Sequence, residues 1–330
     1  MDIIKYTNEL KQDWDEFIFQ NSCNGTFLQS RKFLEYHEKG KFIDNSLLFY
    51  DKCKIIAVIP AHIEYKDGEK SLISHNGTTF GGIVFNSKYY NSAKMEECIN
   101  SLELYLKKEN FDKIILRITP RIFTKKSPDL IEYMLEMNNF SSYSELSSYI
   151  NYSNYNENIL MNFAETKRKQ VRRLKRENIE FRALNTDAEI EKFYYILELN
   201  LQKHGVKPIH NYSEILDFKN NRLVNIVKFY GVFVDNELTA AGMLFDFSDI
   251  KTIHAQNLSI DPNSIHVDTI TYLYYSIIEL YYNKGYKYLS WGKSTEDQGK
   301  VLNYNLIRNK EAYGSEYDLN KTYLKKYTRS

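Results

Sequence analysis

Apolar positions along the first half of the chain change their spacing in a definite order. Short alternating or continuous apolar runs predict strands at Ile3–Tyr6, Leu47–Tyr50 and Lys54–Pro60, and Asp67-Gly68 marks the turn into a third strand of this group, ending at Ser74-His75. Leu10, Trp14, Phe17 and Ile18 fall at helical spacing after the first strand, with a second helical pair at Phe33 and Leu34. A longer helix is expected from about Lys88 to Lys108, its apolar face made by Met95, Ile99, Leu102 and Leu106. A buried strand at Lys113–Ile118, a short helix at Pro128–Met137 and a closing strand finish the half.

The second half runs through the same order. A strand at Glu180–Leu184 leads into a helix from Asp187, its expected N-cap, to about Lys203. Strands at Val227–Val234 and Leu238–Phe247 flank an Asp235-Asn236 hairpin turn, and a third strand covers Thr252–Ile260. A helix over Val267–Asn283 closes just before Gly285. Strand Tyr286–Trp291, helix Lys300–Lys310 and strand Glu316–Leu319 follow. The repeated order predicts an α/β chain with mixed sheets, built as two tandem domains at 1–157 and 158–330.

Composition narrows the setting without choosing the chemistry. At 330 residues, 43% apolar and 26% charged, the chain has globular values and room for two cores. Lys plus Arg at 44 against Asp plus Glu at 43 gives a net charge of +1, so no global pull toward nucleic acid or membrane is expected. Cys23, Cys53 and Cys98 are widely spaced and form no CxxC, which argues against a disulfide framework or a zinc site and for a reducing cytoplasm. The N-terminus lacks a signal-peptide pattern, and no run reaches the ~18 apolar residues of a membrane span. No metal and no integral membrane association are expected.

Polar residues gather at two strand ends. After Trp291-Gly292, the loop Lys293-Ser294-Thr295-Glu296 has the polar density of a site on a rigid scaffold, and Glu296 is a candidate base or amine anchor, or simply a surface acid. After Ser74, His75 has the intrinsic pKa to deprotonate an amine, or is a satisfied structural histidine. The glycines that follow, Gly77, Gly81 and Gly82, allow close backbone approach to a ligand, or simply make a tight turn. His254 lies on a strand, where core packing is the expected role. Between the halves, residues 167–176 carry seven cations and no acid, either a solvated helix face or a clamp for phosphate.

The stretch from His254 to Gly314, with HAQ, WGKSTE and GxxLNxxLIxxKExxG, resembles the C-terminal half of FemAB-like acyltransferases of the GNAT (Gcn5-related N-acyltransferase) superfamily. The resemblance is strong over Gln256–Gly314 and moderate over Gly25–Tyr36 and Ser74–Gly82. It implies two tandem GNAT-like folds and N-acyl transfer. By the same resemblance Lys310 attends the acyl donor and the developing oxyanion, although helix capping alone also explains a lysine there. Arg168 and Arg172 match arginines that hold substrate phosphates, and Asp268 and Asn303 fall on substrate-facing motif positions, although an early-turn acid stabilised by the helix dipole also explains Asp268. His37 stands where the family offers a phosphate-binding lysine. Asn257 and Ser259 lie on the strand edge against which GNAT enzymes pair a pantetheine, and Gly77 and Gly81 are the alternative donor contacts.

One departure matters. The loop Asp261–Val267, where GNAT enzymes carry a glycine-rich pyrophosphate grip, has no glycine and is bounded by Asp261 and Asp268. The expected function is transfer of an acetyl or aminoacyl group from acyl-CoA or aminoacyl-tRNA to an amine of a sugar nucleotide or cell-envelope precursor. The second expectation is a non-catalytic GNAT-fold binding protein that has lost its donor site.

Overall fold

Pro60 and Ala61 separate two strands, β4 (Lys54–Ile59) and β5 (His62–Lys66). Proline cannot donate to a ladder, so the strand before it, β4, and the strand after it, β5, join different sheets. The computed structural model describes residues 1–203 and 205–327. It divides into unit 1 (Met1–Glu145, Asp297–Lys300, Leu319–Ser330) and unit 2 (Leu146–Glu296, Val301–Asp318).

In unit 1, β1 (Asp2–Lys5) precedes the short helices α1 (Lys11–Glu16) and α2 (Arg31–Leu34). Strands β2 (Ile43–Asp44), β3 (Leu47–Asp51), β4 (Lys54–Ile59), β5 (His62–Lys66), β6 (Glu69–Ser74) and β7 (Val84–Phe85) follow. Helix α3 (Ser92–Lys108), strand β8 (Lys113–Arg117) and helix α4 (Asp129–Met137) come next, then β9 (Ser141–Asn151), which runs into unit 2. One sheet has the order β1-β3-β4-β7; in the other, β8 lies parallel to β6, which pairs with β5 and through it β2. Met95, Cys98, Ile99, Leu102 and Leu106 of α3 are fully buried against Leu47, Phe49 and Ile114. Each such side chain is worth about 2 kcal/mol on leaving water. The helix starts at Ser92 because the Asn91 side chain accepts the Lys94 amide.

In unit 2, α5 (Glu165–Leu174) carries the basic stretch, and β10 (Ile179–Ala183) leads to α6 (Asp187–Gln202). Thr186, not Asp187, caps α6, in a capping box with Glu189. Helix α7 (Tyr212–Asp217) lies where no element was expected, although its own box, Asn211 with Glu214, is written in the sequence. Then come β11 (Val227–Val234), β12 (Glu237–Phe247), β13 (Thr252–Ile260), α8 (Thr269–Asn283) and β14 (Tyr288–Lys293). Short strands β15 (Thr295–Glu296) and β16 (Val301–Leu302) pair with each other, so helix α9 (Tyr304–Glu311) starts later than Lys300. The last strand, β17, spans Glu316–Lys326. The unit 2 sheet runs β10-β11-β12-β13-β14-β9, with β13 and β14 parallel. Leu273, Ile277 and Tyr281 of α8 pack on Ile253 and Leu289 beneath it. The mixed α/β architecture expected from the sequence is the one observed.

Candidate active site

The parallel pair β13/β14 comes apart partway along. Thr252 faces Tyr288, Ile253 faces Leu289 and His254 faces Ser290; beyond them β13 continues to Ile260 and β14 to Lys293 without further mutual pairing. Two irregularities cause this. Against β12, Asn257 pairs with Met243 and Ala255 with Leu244, leaving Gln256 as a bulge. Against β9, the register of β14 shifts between Ser290 and Gly292. A bulge bends its strand. Both irregularities fall where the two strands stop pairing, and their facing edges beyond that point, the two arms of the opening, are left unpaired with each other. Asn257 and Ser259 lie on the β13 arm.

Gly292 turns the β14 arm with φ +70°, and a Cβ there would stand 3.3 Å from His254 Cε1. Its carbonyl accepts a hydrogen bond from Lys310. The Lys310 Nζ, on α9, donates to Gly292 O at 2.9 Å, Lys293 O at 3.0 Å and Ser294 Oγ at 2.8 Å. None of these acceptors is a carboxylate, and the side chain is only 4% exposed. Desolvation therefore pushes its pKa down to about 8.

Asn303 positions this lysine. Its side chain caps α9 by accepting the Leu306 amide, its own amide donates to Ser294 O at 2.9 Å, and its Nδ2 donates to Glu296 Oε1 at 3.3 Å. Lys310, Ser294, Asn303 and Glu296 thus form one connected network, with Glu296 at its exposed end. Thr295 is buried beside them, its hydroxyl without a hydrogen-bond partner. Tyr274 and Tyr313 stack 4.8 Å apart, and Tyr274 also meets the Trp291 ring of β14 at 5.0 Å. Trp291 Nε1 donates to Ser315 Oγ, which donates to Lys310 O. His254, expected to serve packing, stands at the last paired step with Nδ1 3.1 Å from Ser290 Oγ. Desolvation, reinforced by the Lys310 charge, lowers its pKa to about 4 and keeps the ring neutral.

The basic helix sorts its own cations. Lys169 pairs with Glu165, Lys175 donates to Tyr275, and Arg173 pairs with Asp268, which also accepts from Gln170 at 2.8 Å. The side chains of Arg168 and Arg172 have no hydrogen-bond or ion-pair partner among the described residues. Asp268, read from the sequence as a substrate-facing or simply an early-turn acid, is thus tied to α5. The glycine-free loop uses its own amides: Ser264 N donates to Asp261 O and Asn263 N to Asp261 Oδ1.

In unit 1 the same juncture is closed. The parallel pair β6/β8 keeps register up to Ser74 with Leu116, and the glycine loop then folds onto the strand ends. Gly81 N donates to Arg117 O at 3.0 Å, Gly82 N to Ser74 Oγ at 3.1 Å, and Gly77 N to His75 Nδ1 at 3.0 Å. His37 Nε2 lies 2.9 Å from Gly77 O, so it too is engaged with this loop. His75 is buried among His62, His37 and Phe42, and its pKa falls to about 3, chiefly through desolvation. The structure therefore brings His37, His75, Gly77 and Gly81 together, but around their own chain. A Cβ on Gly81 would sit 2.7 Å from Ser74 O. Gly81→Ala should cost about 1–3 kcal/mol, read as a lower melting temperature with unchanged donor affinity. A loss of donor binding at full stability would restore the loop as a ligand contact.

No family model matches the sequence, and no curated protein is similar to it at the sequence level. Solved structures are similar to it in fold. FemX aligns with a TM-score of 0.71 at 11% identity, over 99% of this chain and 98% of its own. The C-terminal domain of a putative lysylphosphatidylglycerol synthetase from Agrobacterium fabrum aligns at 0.59 and 11% identity, covering 96% and 92%. A tandem GNAT protein from the clavulanic acid biosynthesis pathway aligns at 0.55 and 8% identity, covering 100% and 99%.

Proposed function

The chain has the tandem GNAT fold of FemX, and on that premise we propose that it is an N-acyltransferase whose donor lies in the β13/β14 opening of unit 2. The observation that carries this is the parting of two central parallel strands over a buried, lowered-pKa lysine. An unpaired strand edge offers backbone donors and acceptors to a peptide-like donor arm, with Asn257 and Ser259 alongside. Acyl transfer develops negative charge on the carbonyl oxygen, and the Lys310 ammonium, fixed by three acceptors, is a preorganised source of positive charge beside the β14 arm. Glu296, in the same network but exposed, is the group we assign to taking the amine's proton. Arg168 and Arg172 hold the acceptor's phosphates, the role their unpaired guanidinium forks suit.

The acceptor we propose is an amine on a nucleotide-linked sugar or cell-envelope precursor. The donor is an acyl-CoA or an aminoacyl-tRNA, as the FemAB-like resemblance implies. Transfer from labelled acetyl-CoA and charged tRNA to an amino-sugar nucleotide panel tests the reading; absence of both transfer and donor binding would overturn it.

The loop at Asp261–Asp268 sharpens the donor expectation. The amides of Asn263, Ser264 and His266 are spent within the loop and Asp268 already occupies the start of α8, so a diphosphate finds little there. Acyl-pantetheine should therefore serve nearly as well as an intact acyl-CoA, compared by kcat/KM. A preference for the intact donor of about two orders of magnitude, ~2.7 kcal/mol, would mean that a phosphate grip exists elsewhere.

A further inference from the structure

A cleft of about 490 Å³ in unit 1 gathers charges that no ion pair uses. Helix α1 brings Asp13 and Glu16 to it, Lys54 comes from the start of β4, and Lys88 from the turn after β7. All four side chains are exposed, and none of them makes an ion pair or a hydrogen bond among the described residues. The Lys88 ammonium reaches only the Tyr89 ring, at 5.9 Å. A single exposed charge is ordinary. Two carboxylates and two ammonium groups that line one space without closing on each other leave room for a guest between them.

Hydrogen bonds fix the elements around this space. Ser22 bridges to Asn86, which ties the turn after α1 to the end of β7. Asn86 N donates to Ile56 O at 2.8 Å, and its Nδ2 donates to Ile55 O at 3.0 Å, so the same residue also holds β4. The rest of the lining is apolar. Phe17 is buried, and Tyr50 and Ile55 pack half-buried on the cluster of Trp14, Leu48 and Val58. Burial, and after it the Asp13 carboxylate, pushes the Tyr50 hydroxyl pKa up, which sets that carboxylate close to the ring.

We propose that this cleft binds a zwitterion, a free amino acid or a short peptide, with its ammonium on Asp13 and Glu16 and its carboxylate on Lys54 and Lys88. The four charges sum to zero. A lone anion such as phosphate therefore meets the two acids as well as the lysines, and a lone cation meets the lysines as well as the acids. A ligand carrying both signs is answered at each end by charge-assisted hydrogen bonds. Its side chain finds Phe17, Tyr50 and Ile55, and the volume is that of a small-molecule site. Every residue involved belongs to unit 1, so the site stands independently of the transferase reading of unit 2.

Calorimetric titration of the full chain with phenylalanine and with the peptide Ala-Phe-Ala tests this. N-acetylphenylalanine amide, which keeps the ring and neither charge, is the control. At least one zwitterion should bind on the order of tenfold or more tighter than the control, and its binding should weaken with salt. The two probes separate a free amino acid from a peptide. Asp13→Asn with Glu16→Gln, and separately Lys54→Gln with Lys88→Gln, should each weaken binding on the order of tenfold. The melting temperature should not change, because all four side chains are exposed. Cys53 lines the same cleft and is exposed, whereas Cys23 and Cys98 are buried, so its rate of reaction with a thiol reagent reports occupancy. The bound zwitterion should slow that reaction severalfold. Absence of binding, equal binding of the uncharged control, indifference to the charge variants, or binding that leaves Cys53 unprotected would each overturn the proposal.

Discussion

Turnover should fall on the order of 10²-fold when Lys310 is replaced by methionine, the size of effect that follows loss of one preorganised charge at a developing oxyanion. The pH dependence gives a second readout. With a pKa of about 8 in the folded chain against an ordinary 10.5, the ammonium is lost as pH rises through 8, and transfer should decline there. Stability should move the other way. Between those two values the unfolded chain binds more protons than the folded one, so wild type gains stability relative to Lys310→Met as pH rises, by up to about 3 kcal/mol. A pH–rate profile and urea melts across that window separate the outcomes. A folded Lys310→Met protein with near-normal turnover would leave the lysine as a tie between α9 and β14.

Changing Arg168 and Arg172 together to glutamine should raise the acceptor's KM on the order of 10- to 100-fold and leave the donor's nearly unchanged, because two charge-assisted contacts to phosphate are removed. Raising the salt should weaken the wild-type acceptor in the same direction. Lys169, already matched by Glu165, is the internal control: Lys169→Gln should change neither constant. Equal effects on both substrates would show that the arginines act on the fold of α5 and not on a ligand.

Much of the architecture was legible because periodicity survives in a single sequence. The α3 and α8 faces and the β11/β12 hairpin each announce themselves through spacing and turn residues. Boundaries were less legible where side chains, not periods, decide them: Thr186 outcompetes Asp187 as a cap, and the Thr295–Glu296 pairing with Val301–Leu302 delays α9. The polar network of Ser294, Glu296, Asn303 and Lys310 could be anticipated, because strand-end loops concentrate polar groups. The parting of β13 from β14 could not. It depends on a bulge at Gln256 and another past Ser290, and two residues opposing one leave no mark on a hydrophobic pattern. Glycines at 77, 81 and 82 signalled room for a close approach, but composition cannot say whose atoms approach. Here they are those of Ser74, His75 and Arg117.

That closed juncture in unit 1 gives the open one its meaning. The gap at the end of the β6/β8 pair is filled by a tethered segment, residues 75–82, whose effective concentration at its own site cannot be diluted away. At the corresponding place in unit 2 the pairing of β13 with β14 stops at His254 and Ser290. One half of the chain carries its guest covalently and is saturated from the moment it folds. On the proposed reading the other half recruits its guest from solution, and only that half discriminates among guests, releases one and accepts the next.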